Sequence, residues 1–164
     1  MRRITLTVIA IVVVVVAVGF LCLTHLRISS LQDPGDFETS LATRAKHFLI
    51  ERKSRAGIPP PPADERSSVE EGDKLFGAEC AACHGLDGKS PTDAGRWMYP
   101  RAANLVSPQV QKYSDRDLFW IVRNGIRFSG MPAFGKVESD EHIWDIVRYL
   151  RTLRNGNSAV GTHP

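Results

Sequence analysis

The chain has 164 residues, 43% hydrophobic and 24% charged, with three cysteines and a net charge of +3. That composition excludes a disordered chain, and three thiols exclude a multi-bridge disulfide scaffold. Residues 1–66 carry the whole excess charge, nine Lys/Arg against six Asp/Glu, while residues 67–164 hold twelve of each; a nucleic-acid domain would concentrate cations in itself, so nucleic acid is excluded as a partner.

Met1, Arg2 and Arg3 precede Ile4–Thr24, a run without a charged residue. As a helix rising about 1.5 Å per residue, it spans about 31 Å, the thickness of a hydrocarbon core. Three readings compete. A cleaved signal peptide has a shorter apolar region and small residues before its cut, and no clear site of that kind follows. A lipoprotein would modify Cys22, but bulky Leu21 precedes it. An uncleaved single-pass anchor fits the length. Arg2 and Arg3 favour a cytoplasmic N-terminus, and Arg27 weakens that bias slightly. The expected arrangement is a cytoplasmic tip and transmembrane anchor over residues 1–26, in a bacterial cytoplasmic (inner) membrane, with everything beyond on the periplasmic side.

Residues 27–66 read as a periplasmic linker. Within Asp36–Arg55, Phe37, Leu41, Ala45, Phe48 and Leu49 recur at helical spacing. This amphipathic helix (about 36–55) either lies on the headgroups or against the following domain, or docks the chain into a larger membrane complex. Pro59 to Pro62 follow; four prolines favour extended polyproline II, a semi-rigid spacer. There are no internal repeats.

The domain expected over residues 67–155 opens with Ser67 and Ser68 as candidate caps and Glu70 and Glu71 in a first helical turn. The helix leads to Cys80-Ala81-Ala82-Cys83-His84, a C-x-x-C-H sequence. It reads as a c-type haem attachment site. Thiols three positions apart on one turn face the same side and can reach two vinyl groups of one porphyrin. The adjacent imidazole of His84 then serves as proximal iron ligand. Zinc would need four ligands, usually two pairs, and only one pair is present. A thioredoxin-like dithiol expects a βαβ setting, and a disulfide within C-x-x-C is a third alternative.

An electron-carrying haem needs a sixth ligand, and the candidates are Met98, Met131, His142 and His163. Met131 lies in a Gly/Ser/Pro-rich loop between two helices. The first is Asp115–Asn124, capped by Ser114 and stopped by Gly125; the second runs from Asp140 to about Leu153, capped by Ser139. A loop held at both ends can present a thioether opposite His84, so Met131 is the expected distal ligand. Met98 is 14 positions from His84, short for crossing to the far face, and reads as packing. His142 sits in a first turn and His163 in a C-terminal tail, 156–164, expected to be flexible.

These residues together resemble the class I cytochromes c. The resemblance covers roughly Ser68–Leu153 and rests on Gly72 and Phe76 ahead of Cys80-x-x-Cys83-His84, a Pro-containing middle loop, Gly130-Met131-Pro132, and a last helix bearing Tyr149. It implies an all-α cytochrome c fold around one covalent haem c, with the first and last helices crossing closely. Gly72 would permit the approach, and Phe76 would pack with Ile146 and Tyr149. It implies His84 and Met131 as iron ligands and a backbone carbonyl near Pro100 accepting the other His84 N–H. Trp97, Tyr99, Pro100, Arg101 and Arg127 are then candidate haem contacts. With both axial positions taken, the expected role is a membrane-anchored carrier of single electrons between redox partner proteins, not an enzyme. Two alternatives stay open. One is a haem subunit of a larger respiratory or dehydrogenase complex, reached through the linker helix. The other is a gas sensor in which CO or NO displaces Met131.

Overall fold

The computed structural model describes residues 2–24, 29, 34–89 and 91–154. Arg27, His163 and the tail 156–164 lie outside the described residues. The chain divides into two compact units, Met1–Asp33 and Pro34–Pro164.

The first unit holds α1, Arg2–Thr24, which buries none of its residues. Among the described residues it is the one helix long and apolar enough to cross a membrane. Two of its three threonine hydroxyls turn inward along the helix. Thr7 Oγ1 donates to the Arg3 carbonyl and Thr24 Oγ1 to that of Leu21, both at 2.9 Å. Such back-bonding satisfies these two donors in an apolar surrounding.

The second unit is built of helices, with no strand among the described residues. In chain order they are α2 (Asp36–Lys53), α3 (Glu65–Leu75), α4 (Ala81–His84), α5 (Asp93–Trp97), α6 (Pro108–Gln111), α7 (Asp115–Asn124) and α8 (Asp140–Arg154). A π turn, Phe76–Cys80, joins α3 to α4, and a 3-10 turn, Phe134–Lys136, precedes α8.

The centre is the crossing of α3 over α8. A Cβ on Gly72 would overlap the Asp145 carbonyl and stand 2.9 Å from Tyr149 Cβ, so only glycine allows this approach. Phe76, Ile143 and Ile146 are fully buried there, and the Phe76 and Tyr149 rings lie 5.2 Å apart. Ser68 differs from its expected role as a cap. The helix starts earlier, at Glu65, with Asp64 Oδ1 accepting from the Arg66 N–H at 3.1 Å. That places Ser68 inside the crossing, where its hydroxyl bonds the buried Asp145 carboxylate.

Helices α7 and α8 begin where the sequence places them. Ser114 and Asp117 close a capping box at the start of α7, and Gly125, at φ 65°, ends it. Ser139 Oγ accepts from His142 N–H at 3.1 Å. Phe119 and Trp144 then pack with ring centroids 4.7 Å apart.

Residues 34–66 do not stand apart as a spacer. Ile50 of α2 is buried in the core. His47 stacks on Tyr113 at 4.2 Å, and the Ser54 hydroxyl bonds the Asp117 carboxylate. Arg116 donates to the Ser54 and Arg55 carbonyls at 3.3 and 3.1 Å. The proline run is fastened too. The Pro59 carbonyl accepts from Trp144 Nε1 at 3.0 Å, and Arg148 donates to the carbonyls of Pro62 and Asp64. Prolines offer no N–H but leave their carbonyls free, so side-chain donors of α8 can hold them.

Candidate cofactor site

The cysteine pair sits where the first helix changes pitch. The π turn inserts one residue before the pair, and Cys80 leaves it at φ −108°, ψ −36°. Such one-turn bulges concentrate at functional sites. Ala81 between the thiols is buried, while Cys80 and Cys83 are both free and half-buried. Burial, with Glu79 and Cys83 adding to it, pushes the Cys80 thiol up to about 12. Burial of this kind favours the thiol over the ready thiolate that a dithiol oxidoreductase needs. No three His, Cys, Asp or Glu side chains among the described residues gather as metal ligands.

His84 is held by a distant loop. Its Nδ1 lies 2.9 Å from the Ala103 carbonyl. A carbonyl can only accept, so Nδ1 carries the hydrogen and Nε2 keeps its lone pair. Burial pushes the ring's pKa down, against the opposing effect of the Ala103 bond. An imidazole kept neutral, with one nitrogen anchored and one free, is the form a metal accepts.

The loop that supplies Ala103 is tied to the back of the cysteine turn. Thr92 N–H donates to the Cys83 carbonyl at 3.2 Å, and its hydroxyl to that of Ala82 at 2.6 Å. Gly95 packs so closely on the Cys83 carbonyl that a Cβ would overlap it. Leu105 N–H bonds the Gly88 carbonyl at 2.8 Å, closing the loop behind His84.

Met131 is half-buried against the core. Its N–H donates to Ser129 Oγ at 3.2 Å, and its carbonyl accepts from Ile126 N–H at 3.4 Å. Met98 lies across the neighbouring Gly130, with Sδ 2.5 Å from where a Cβ would stand. Both methionines therefore border one loop. His142 pairs with Glu138 at 2.7 Å. Trp97, Tyr99, Pro100, Arg101 and Arg127 all lie on the surface. Tyr99 Oη is 3.4 Å from Glu38 Oε1, and the Tyr99–Pro100 peptide is cis.

The resemblance placed the acceptor for His84 near Pro100 without choosing the carbonyl; it is that of Ala103, and a backbone carbonyl leaves no mark in the residue type. Sequence reasoning missed Leu86 and Phe128, which are 65% and 91% exposed. With Trp97 they form bulky apolar side chains on the three loops that carry His84, Met98 and Met131. Two thiols on one turn beside a neutral, anchored imidazole are a donor set that fits a covalent haem.

The family described as cytochrome C oxidase, cbb3-type, subunit III matches residues 67–150. Cytochrome c6 of Gloeothece citriformis is 38% identical over 82 residues, covering 48% of this chain and 66% of its own. A chain of the Kuenenia stuttgartiensis reducing HAO-like protein complex shares the fold, with a TM-score of 0.54 and 20% identity; the match covers 60% of this chain and 49% of that one. This chain thus spans just under two thirds of the cytochrome c6 and about half of the complex chain.

Proposed function

This chain belongs to the cytochrome c oxidase, cbb3-type, subunit III family, and on that premise we propose that it is a membrane-anchored monohaem carrier of single electrons. Cys80 and Cys83 would hold the haem covalently, each thiol adding S–H across a vinyl group, a reaction that needs no oxidant. His84 and Met131 would hold its iron. The group supplies reversible one-electron chemistry when bound.

The chain's own residues set the conditions for it. The observation that carries the reading is the Ala103 carbonyl at 2.9 Å from His84 Nδ1, which fixes the tautomer and raises the basicity of Nε2. Met131 offers a soft sulfur, a ligand that raises the potential relative to a second imidazole. Its loop is braced at both ends by α7 and α8, so the thioether approaches without a large ordering cost. With α1 as an uncleaved anchor, the domain would work at the bacterial inner membrane, on the periplasmic side, where a cofactor carrier gains effective concentration near membrane redox partners.

The test is the optical spectrum of the haem-loaded full chain in detergent, ferrous, before and after CO. Wild type is expected to ignore CO, Met131→Ala to bind it, and Met98→Ala to behave as wild type. Ready CO binding by wild type would overturn the two-ligand reading in favour of gas sensing. A second reading, a haem subunit of a larger complex, is favoured by the family's description as an oxidase subunit. Co-purification of a stoichiometric partner with the detergent-solubilised chain separates it from a free carrier.

A further inference from the structure

We propose that α2 is a two-faced bridge. One side is fixed to the helical domain, and the other lies in the headgroup–acyl boundary of the bilayer that α1 enters. This rests on the reading of α1 as an uncleaved anchor.

The helix carries two apolar sides, and the structure accounts for one of them. At about 100° per residue, His47, Ile50 and Ser54 fall within about 60° of one another. These are the residues that meet Tyr113, the core and Asp117. Phe37, Leu41, Phe48 and Leu49 fall on the roughly opposite side. They are 81%, 57%, 62% and 55% exposed. Two phenylalanines and two leucines in one outward stripe amount to a patch at the size that often marks an interaction site.

Three observations select lipid as the occupant. Eleven residues, 25–35, separate the end of α1 from the start of α2. At no more than about 3.6 Å each, they reach about 40 Å, so the helix cannot leave the neighbourhood of the bilayer. Arg52 lies on the outward side and Arg44 at its edge, both exposed; their stems can lie along the apolar stripe while the guanidinium groups reach phosphate. The carboxylate within the stripe, Glu38, sits at its N-terminal end and is turned to the Tyr99 hydroxyl. Size counts against a protein occupant: four side chains offer roughly half of the about 800 Å² per partner that a stable protein interface buries.

The consequence is a haem domain carried at a set height and tilt above the membrane. The test uses the full, haem-loaded chain with Cys22→Ser, in vesicles of phosphatidylcholine and phosphatidylglycerol. An environment-sensitive fluorophore is attached at Leu41→Cys or Phe48→Cys, at Val13→Cys within α1, and at exposed Lys136→Cys as the aqueous reference. Nitroxide-labelled lipids serve as quenchers, and each signal is taken as a ratio to nitroxide-free vesicles to remove quenching by the haem. The expected result is quenching at Leu41→Cys and Phe48→Cys at least threefold above that at Lys136→Cys. It is expected to be strongest with a shallow nitroxide, while Val13→Cys is quenched best by a deep one. If Val13→Cys is quenched and both α2 positions behave like Lys136→Cys, the bridge is wrong and the anchor stands. If Val13→Cys is not quenched either, the anchor reading itself fails. Shielding of the α2 positions from aqueous iodide without lipid quenching means a second copy covers the stripe, and that also overturns the proposal.

Discussion

The crossing of α3 with α8 and the seating of α2 on α7 are both helix contacts, yet they are made of different matter. The crossing buries Phe76, Ile143, Ile146 and Tyr149 around a glycine, with one hydroxyl–carboxylate pair, Ser68 and Asp145, sealed inside. The seating has one buried aliphatic residue, Ile50, beside a stacked imidazole, a second hydroxyl–carboxylate pair and an arginine on two carbonyls. Apolar burial is indifferent to pH and intolerant of shape change. A polar seat tolerates shape change better and responds to protonation. The first junction therefore defines the cofactor domain, and the second attaches it to whatever lies on the other side of α2.

The strongest way to break that contrast is Phe76→Ala. Removing a fully buried ring from the crossing is expected to cost about 3–5 kcal/mol, read by denaturant unfolding of the haem-loaded full chain. Gly72→Ala comes next, at about 1–3 kcal/mol by the same measurement, because the Cβ meets the Asp145 backbone, which cannot swing aside. A neutral result would mean that the helices can slide. Ser54→Ala acts on the seat and removes the hydroxyl's bond to the Asp117 carboxylate while leaving the Ser114–Asp117 capping box of α7 in place. A loss of about 1–3 kcal/mol is expected, concentrated in α2. Trypsin should then cleave at Arg52, Lys53 or Arg55 several-fold faster, with the haem spectrum unchanged. A spectral change would tie the seat to the cofactor site and erase the distinction.

Acidification should act in the same place with the smallest effect. Burial, followed by Lys112 and Lys46, pushes the His47 pKa down, against the pull of Asp117. The unfolded chain then binds the proton more tightly than the folded one. The ring's contribution is whole above about pH 6.5 and is lost as pH falls through the lower folded value. Burial would raise the Asp117 pKa, but bonds from Ser54 and Ser114 outweigh it and hold the carboxyl below its usual range. Its contribution goes only at still lower pH. Hydrogen exchange, corrected for intrinsic rates, should therefore show α2 amides opening below about pH 6.5 while α3 and α8 stay protected. Equal opening of all three would refute a separate polar seat.

The same contrast marks what could be read in advance. The crossing was legible because its signals are local: Gly72 and Phe76 at fixed offsets before Cys80, and caps at Ser114 and Ser139. The comparisons uphold the cytochrome c family and the all-α fold built on those residues. The seat was not legible. Its stripe of Phe37, Leu41, Phe48 and Leu49 was visible as apolar, but Ile50 and His47 gave no sign that they would be the ones to dock. Periodicity ranks the faces of a helix by hydrophobicity, and here the less apolar face found its partner 66 positions away, in Tyr113. Within the site, side-chain donors are written in residue types, whereas the Ala103 carbonyl and the π turn are properties of the backbone path.

The strap of prolines sets a rule about length. Polyproline II repeats every three residues, so the carbonyls of Pro59 and Pro62 leave the same edge. Trp144 and Arg148, which meet them, are one helical turn apart on α8. The two rises are unequal, about 9.3 Å for three extended prolines against about 6 Å for four helical residues, and the long side chains of Trp144 and Arg148 take up the difference. One added proline would turn a carbonyl by about 120°, away from its donor. The helix it crosses therefore sets the length of the strap.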